Sequence, residues 1–300
     1  MILHSEPGRV IASAPAKLNL FLEVTGRRDD GFHDLETVMQ TISLSDTLVL
    51  ESADDLSLHC PRLAELPAER NLAHRAATLL QDHLGLKRGA RITLHKRIPA
   101  GAGLGGGSSD AASVLTGLCR LWEVSLPLDE LTELAGRLGS DVPFFVHGNT
   151  ALCRGRGELV EPIAARGVWH YLLVLPASSN NTAEVYRHFD RLGSYDIITA
   201  DSVIRALASG EAMALGRALF NRLEAAGASI NPDVRRSLDV LGDEGVLMTG
   251  SGSACFKLCE SAAACAAEAY RVSPLLGGAT VLSVTNEAGL FERTPCGAGP

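Results

Sequence analysis

Pro-Ala-Gly-Ala-Gly-Leu-Gly-Gly-Gly-Ser-Ser-Asp, residues 99 to 110, decides how this chain of 300 residues is read. Glycine stands at 101, 103, 105, 106 and 107. Ahead of the glycines, residues 91–95 alternate, with Ala90, Ile92 and Leu94 facing one way, the period of a strand. Behind them, Ala111, Val114, Leu115, Leu118 and Leu121 recur at helical spacing, which predicts a helix over 108–122. A glycine loop between a strand and a helix aims its free N–H groups and the helix N-terminus into one volume, an anion site. Ser108, Ser109 and Asp110 are expected to cap that helix.

Several kinds of loop fit such a run. Gly101-Ala102-Gly103-Leu104-Gly105-Gly106 satisfies the dinucleotide pattern GxGxxG. Against it, the first half of the chain is β-rich and not a series of βαβ units, and the acidic residue about 20 positions on, Glu123, follows a helix instead of ending a strand. A Walker loop requires a lysine after the glycines, and none is there. A flexible turn without a ligand would lose much conformational entropy with nothing to offset it. Among phosphate loops, a nucleotide-kinase loop outside the Walker class is the third possibility.

Outward from the loop, the chain reads as α+β. Strands are expected at 10–14 and 18–24, separated by Pro15, then at 36–44 and 46–51, with a loop over 26–34. Asn71 can cap a helix whose face is Leu72, Ala76, Leu79, Leu80 and Leu84, ended by Gly85. A short helix follows at 129–138, then strands at 150–154 and 169–175. Helices are expected at 200–208, 211–226 and 233–241, and strand, helix and strand at 254–258, 262–272 and 279–284. Residues 293–300 are expected to be a loose tail. Two halves are expected, joined near residues 162–169.

Composition narrows the partners. Lys and Arg number 27 against 35 Asp and Glu, a net charge of −8, and no basic run exceeds two residues. Neither nucleic acid nor an anionic membrane surface suits such a chain, whereas a local cradle for an anionic small-molecule substrate does. The seven cysteines (60, 119, 153, 255, 259, 265 and 296) include no CxxC pair and no zinc pattern, so no metal site is read from them. They are expected to be reduced thiols in a reducing compartment. His4, Glu6, Pro7 and Arg9 interrupt any signal-peptide core, and no apolar stretch is long enough to span a membrane, so the expected location is cytoplasmic.

Three motifs in order make the chain similar to the GHMP kinase superfamily, which includes galactokinase, homoserine kinase and mevalonate kinase. Residues 99–109 resemble its glycine loop, Pro-x-x-x-Gly-Leu-Gly-Ser/Gly-Ser-Ser. Ala14-Pro15-Ala16-Lys17-Leu18-Asn19-Leu20 resembles its N-terminal motif, and Met248-Thr249-Gly250-Ser251-Gly252-Ser253-Ala254-Cys255-Phe256 its C-terminal one. Within the superfamily the spelling resembles the 4-diphosphocytidyl-2-C-methyl-D-erythritol kinases of the non-mevalonate isoprenoid route. Pro15–Leu20, Gly31-Phe32-His33-Asp34-Leu35, Lys96-Arg97-Ile98-Pro99, the triple glycine before Ser108 and Gly139-Ser140-Asp141-Val142-Pro143-Phe144 carry that likeness.

The resemblance implies a two-domain GHMP kinase fold, with a ribosomal-S5-like N-terminal domain (1–165) and a ferredoxin-like C-terminal domain (166–300). It implies transfer of the γ-phosphoryl of ATP, with Mg²⁺, to the tertiary 2-hydroxyl of 4-diphosphocytidyl-2-C-methyl-D-erythritol. The implied catalytic pair is Lys17 and Asp141, Asp141 as general base and Lys17 holding it ionised. ATP would lie on Pro99, Gly101, Gly103, Leu104, Gly105, Gly106, Gly107, Ser108 and Ser109, with Asn71 and Lys96 nearby. Asp110 could help hold Mg²⁺ or only cap the helix, and is read as a cap. The substrate would meet Asn19, Phe32, His33, Tyr186, Gly250 and Ser251. The family commonly has Tyr at the place of Phe32, which keeps a stacking face and loses a phenol hydrogen bond. Residues 176–182 depart from the family pattern, in which a Pro follows the Thr.

Overall fold

The structure is a computed structural model and describes residues 2–193 and 195–286. The expected tail over 293–300, with Cys296, lies outside the described residues. In chain order the first half contains β1 (Ile2–Glu6), β2 (Arg9–Arg27), β3 (His33–Ala53), β4 (Leu56–His59), α1 (Leu72–Leu84), β5 (Gly89–His95), α2 (Gly106–Leu121), α3 (Leu128–Gly136), α4 (Val142–His147), β6 (Thr150–Gly155) and β7 (Leu159–Pro162). The second half contains β8 (His170–Leu175), α5 (Thr182–Phe189), α6 (Asp201–Ser209), α7 (Ala212–Ala218), β9 (Phe220–Asn221), α8 (Glu224–Ile230), α9 (Pro232–Leu241), β10 (Val246–Met248), β11 (Cys255–Cys259), α10 (Ala262–Val272) and β12 (Thr280–Thr285).

Two sheets carry these elements. The first runs β1-β2-β3-β5-β4, with β6 and β7 continuing from β3 and β9 lying parallel to β2. The second is the four-stranded antiparallel β10-β11-β8-β12. Pro15 does not split β2 as the sequence suggests. It sits at a register shift between Pro15 and Ala16, where a bulge accommodates a residue without an N–H. The two expected strands at 36–44 and 46–51 likewise form the single strand β3, and the loop over 26–34 is the tip of the β2–β3 hairpin.

β2 is buried along most of its length because three cores form on it. Val10, Ala12 and Ala14 pack with α1 and α2. Ala16, Leu18 and Leu20 pack with Tyr171, Leu173 and Phe256 of the second sheet. Leu22 and Val24 pack with Val185, Phe189 and Leu223. The middle core contains residues of both halves, and the Tyr171 hydroxyl bridges them by donating to Gln40 Oε1 at 2.7 Å.

Residues 211–226, expected as one helix, are broken by β9. Phe220 and Asn221 pair with Phe21 and Leu22, so a tertiary strand pairing overrides the local helical pattern. Beyond β9, Arg222 makes two bonds of 2.8 and 2.7 Å to the fully buried Glu23 and lies against Tyr195 and Phe220.

The glycine-loop helix corrects another expectation. α2 starts at Gly106, two residues early, with Gly105 as its N-cap at φ 68° and no side-chain cap. Ser108 and Ser109 therefore lie inside the first turn and Asp110 just beyond it, and none of them caps the helix. The first-turn N–H groups that a side chain would have taken remain for a ligand. Asn71 does cap α1, accepting from Ala73 N–H at 3.0 Å.

Candidate active site

Alternation along β2 sets the first part of the site. Ala16, Leu18 and Leu20 enter the middle core, so Lys17 and Asn19 face the other way. Both are nonetheless buried, at 4% and 3% exposure, so Lys17 is not a solvated surface lysine. Lys17 Nζ donates to Asn19 Oδ1. Asn19 is itself fixed: Nδ2 donates to Thr37 Oγ1 at 2.8 Å, the backbone N–H donates to Thr249 Oγ1 at 2.9 Å, and Thr249 Oγ1 lies 3.3 Å from Asn19 Oδ1. Burial lowers the Lys17 ammonium from its ordinary pKa, while the charge of Asp141, and then that of Cys153, acts in the opposite direction.

Asp141 precedes α4, whose first turn contains Pro143, and its side chain makes no capping bond. The carboxylate instead lines the cavity that Lys17 lines.

Three segments far apart in sequence meet here. Lys17 N–H donates to Leu104 O, and Ala254 N–H donates to Ala102 O, each at 3.0 Å. At Gly103, φ is 79°, and a Cβ would lie 2.4 Å from Thr249 O and 2.9 Å from Gly252 O. The glycine loop thus touches the Thr249–Gly252 turn backbone to backbone, an approach open only to glycine. Asn221 holds the turn from behind, donating to Met248 O at 2.7 Å and Gly250 O at 2.8 Å.

The result is a cavity of about 640 Å³, ample for a small-molecule ligand. Lys17, Asn19, Gly103, Gly105 and Gly250 lie together as one end. Phe32, His33, Tyr186, Arg156 and Asp190 form the other. Asp141 lines the same cavity, and its charge bears on both Lys17 and Tyr186. Tyr186 stacks on His33 with centroids 4.8 Å apart, and Arg156 lies over the Phe32 ring at 5.3 Å. Phe32 is 54% exposed, at the lip of the cavity. Ser251 also lines the cavity, with its Oγ 2.8 Å from Thr182 Oγ1.

The remaining sequence-predicted residues lie along the glycine loop, off this cavity. Gly101 faces Ser179, and Gly107 faces Leu72 at the start of α1. Leu104 gives its side chain to the core. Lys96 follows β5 and is largely buried, with 9% of its side chain exposed. Its Nζ lies against Gly106 and donates to Asp46 and, at 2.6 Å, to Asp110 Oδ2. Burial pulls the Lys96 ammonium down, and the charges of Asp110 and Asp46 outweigh it, so the group is held above its ordinary pKa. Burial, aided by the like charge of Asp46, pushes the Asp110 carboxyl up against the opposing pull of Lys96. Asp46 also accepts from Arg97 and Ile98 N–H, so this cluster ties the strand that enters the loop to the helix that leaves it.

Sequence reading missed Thr37, Asp46, Arg156, Asp190 and Asn221. Thr249 lay inside a quoted motif without a role. The others carry no local signal, because their partners are distant in sequence: His33 and Asp190 are 157 positions apart.

Comparisons with known proteins place the chain by family and fold. Residues 71–149 match the GHMP kinases N terminal domain and residues 203–272 the GHMP kinases C terminal domain. A 4-diphosphocytidyl-2-C-methyl-D-erythritol kinase of Mycolicibacterium smegmatis is 42% identical over 286 residues, 91% of this chain and 88% of that protein. One of Nocardia farcinica is 40% identical over 298 residues, 96% of each. A crystal structure of 4-(cytidine 5'-diphospho)-2C-methyl-D-erythritol kinase superposes with a TM-score of 0.77 at 37% identity, covering 92% of this chain and 99% of that one. A homoserine kinase from Cytophaga hutchinsonii shares the fold, with a TM-score of 0.73 at 18% identity over 95% of this chain and 97% of that one.

Proposed function

The chain belongs to the 4-diphosphocytidyl-2-C-methyl-D-erythritol kinase family of the GHMP kinases, and from that premise we infer how its cavity moves a phosphoryl group. It is an ATP-dependent kinase that phosphorylates the 2-hydroxyl of 4-diphosphocytidyl-2-C-methyl-D-erythritol, a step of isoprenoid precursor synthesis. One observation carries the residue assignment. A buried lysine, a carboxylate, glycines of the loop and a cluster of aromatic rings line one cavity.

A tertiary alcohol is a hindered, weakly acidic nucleophile, so the protein must orient it in line with the γ-phosphorus and take its proton. Asp141 accepts that proton. Lys17 offsets the negative charge of Asp141 and of the reacting oxygens, at a depth where little water screens it. Asn19 holds the Lys17 ammonium in place and faces the substrate. The methylerythritol lies between this end and the diphosphate, which meets the backbone of Gly250 and Ser251. The cytosine ring lies among Phe32, His33 and Tyr186.

The triphosphate lies on residues 101–107 and the start of α2, with Ser108 and Ser109 in the first turn and Lys96 and Asn71 flanking the loop. The start of α2 at Gly105 without a side-chain cap supports a cradle of this kind, since it leaves first-turn N–H groups for a ligand. Mg²⁺ asks for oxygen donors and uses one or two protein groups together with the phosphates. Ser109 Oγ and Asp110 Oδ1, both buried without a hydrogen-bond partner, fit that requirement and would hold it, and the ion would neutralise charge on the phosphates. The net charge, and the fact that no described helix is long and apolar enough to cross a membrane, support a cytoplasmic enzyme without a nucleic-acid partner.

Phe32→Ala should raise the KM for the cytidyl substrate by about tenfold, the loss expected for one stacking face, and leave the KM for ATP nearly unchanged. Steady-state kinetics with each substrate varied checks this. Equal effects on the two KM values would make Phe32 a structural residue.

The function itself is tested by ADP release with ATP·Mg²⁺ and each of four acceptors: the cytidyl compound, homoserine, mevalonate and galactose. Turnover with the cytidyl compound alone is expected. Turnover with another acceptor in its place would keep the kinase and discard the cytosine pocket.

A further inference from the structure

Asp190 has no part in the phosphoryl transfer, yet it is built into the aromatic end of the cavity. It follows the last turn of α5, and its Oδ1 lies 2.8 Å from His33 Nε2. Its other oxygen lies 3.6 Å from Arg27 Nη1. The imidazole between these elements is held on two sides. Tyr186 stacks on one face with an interplanar angle of 23°, and Phe189 meets the ring edge-on at 6.3 Å and 75°. The His33 side chain is 8% exposed, so the ring has little room to turn and present its other nitrogen to Asp190.

A carboxylate accepts hydrogen bonds and does not donate them. Nε2 must therefore carry the hydrogen, and in the neutral imidazole Nδ1 is left as an acceptor, the ring atom through which His33 can meet a ligand. An acceptor suits the 4-amino group of cytosine, which donates. At the same place uracil carries an oxygen, which would set lone pair against lone pair. We propose that Asp190 is a positioning residue for base specificity: by fixing the His33 tautomer it makes the pocket choose a 4-aminopyrimidine over a 4-oxopyrimidine. This rests on the reading above that a cytosine ring occupies the aromatic end.

Asp190→Asn tests it with little change of shape. Arg27 can only donate, so it draws the carboxamide oxygen towards itself and turns the NH₂ group to His33. Nε2 then becomes an acceptor, and the ring hydrogen moves to Nδ1. Two measurements follow on wild type, Asp190→Asn and Asp190→Glu. The first is kcat/KM for the cytidyl substrate and for its uridyl counterpart. The second is the ¹⁵N spectrum of His33, which distinguishes the tautomers.

Wild type is expected to favour the cytidyl compound by about 100-fold or more, as sites built on buried hydrogen bonds do. In Asp190→Asn that ratio should fall by about tenfold or more, with the Nδ1–H tautomer replacing Nε2–H, and Asp190→Glu should keep most of the ratio. An unchanged ratio, or the same tautomer in wild type and Asp190→Asn, overturns the proposal even if kcat/KM falls for both substrates. Equal turnover of both compounds by wild type also overturns it and leaves the kinase assignment standing. Turnover of neither by wild type would refute the functional reading itself, and the proposal with it.

Discussion

Asp141→Asn should lower kcat by about 10³-fold, within the range lost when a positioned general base is removed, while ATP binds with nearly unchanged affinity. The asparagine keeps the shape and polarity of the side chain but cannot accept the proton of the 2-hydroxyl. Its position supports a selective loss. Asp141 does not cap α4, so no helix start depends on it. It lines the cavity with Lys17, whereas residues 106–109, on which the triphosphate is proposed to rest, do not line it. Burial depresses the Lys17 ammonium and Asp141 is the first of the charges that oppose it, so the variant should also make Lys17 easier to deprotonate. Isothermal titration with a non-hydrolysable ATP analogue, beside steady-state kinetics, separates the two effects. A large loss of ATP affinity in this variant would show that Asp141 serves the nucleotide and would end its assignment as the base.

Gly103→Ala should be severely damaging for a single added methyl. Its Cβ would lie 2.4 Å from Thr249 O, and both partners are backbone, so no side chain can swing aside. The positive φ of 79° adds about 1 kcal/mol of strain for an L-residue before any clash is counted. The glycine loop and the Thr249–Gly252 turn must then separate. That turn holds Asn19 through Thr249, and Asn19 holds Lys17, so catalysis should fall together with ATP affinity. A loss of kcat/KM of about 10²-fold or more, with a lowered melting temperature, is expected. Gly107→Ala is the control from the same loop. There a Cβ meets only Leu72 Cδ1 at 3.6 Å, inside α2, where alanine is the better helix former, so stability should hold or rise. Comparable damage from both substitutions would mean that the loop tolerates no change for reasons other than the Gly103 contact.

How far the site could be read in advance depended on whether a residue's role was local. Lys17 and Asn19 stand two apart on one strand, and the glycines stand together, so motif and periodicity reached them. The α2 cap was misjudged because Gly105 takes a left-handed conformation that starts the helix early, and composition alone favours the serines that follow. β9 was hidden inside a helical pattern because its partner, β2, lies about 200 positions earlier, and pairing energy between distant segments leaves no trace in local propensity. Pro15 read as a strand break because a bulge is a property of two strands, not one. Asp46, Asn221 and Asp190 were invisible for the same reason: each is an ordinary polar residue in its own segment and acquires a role only through a partner brought near by the fold.

The most direct test of the central claim is the product formed from ATP·Mg²⁺ and 4-diphosphocytidyl-2-C-methyl-D-erythritol, followed by ³¹P NMR with wild type and Asp141→Asn. Wild type is expected to yield ADP and one new phosphomonoester on the tertiary 2-hydroxyl, with the diphosphate intact, and the variant to yield almost none over the same time. ADP accompanied by inorganic phosphate, a phosphomonoester on another hydroxyl, or undiminished product from Asp141→Asn would contradict the assignment of this cavity and its base.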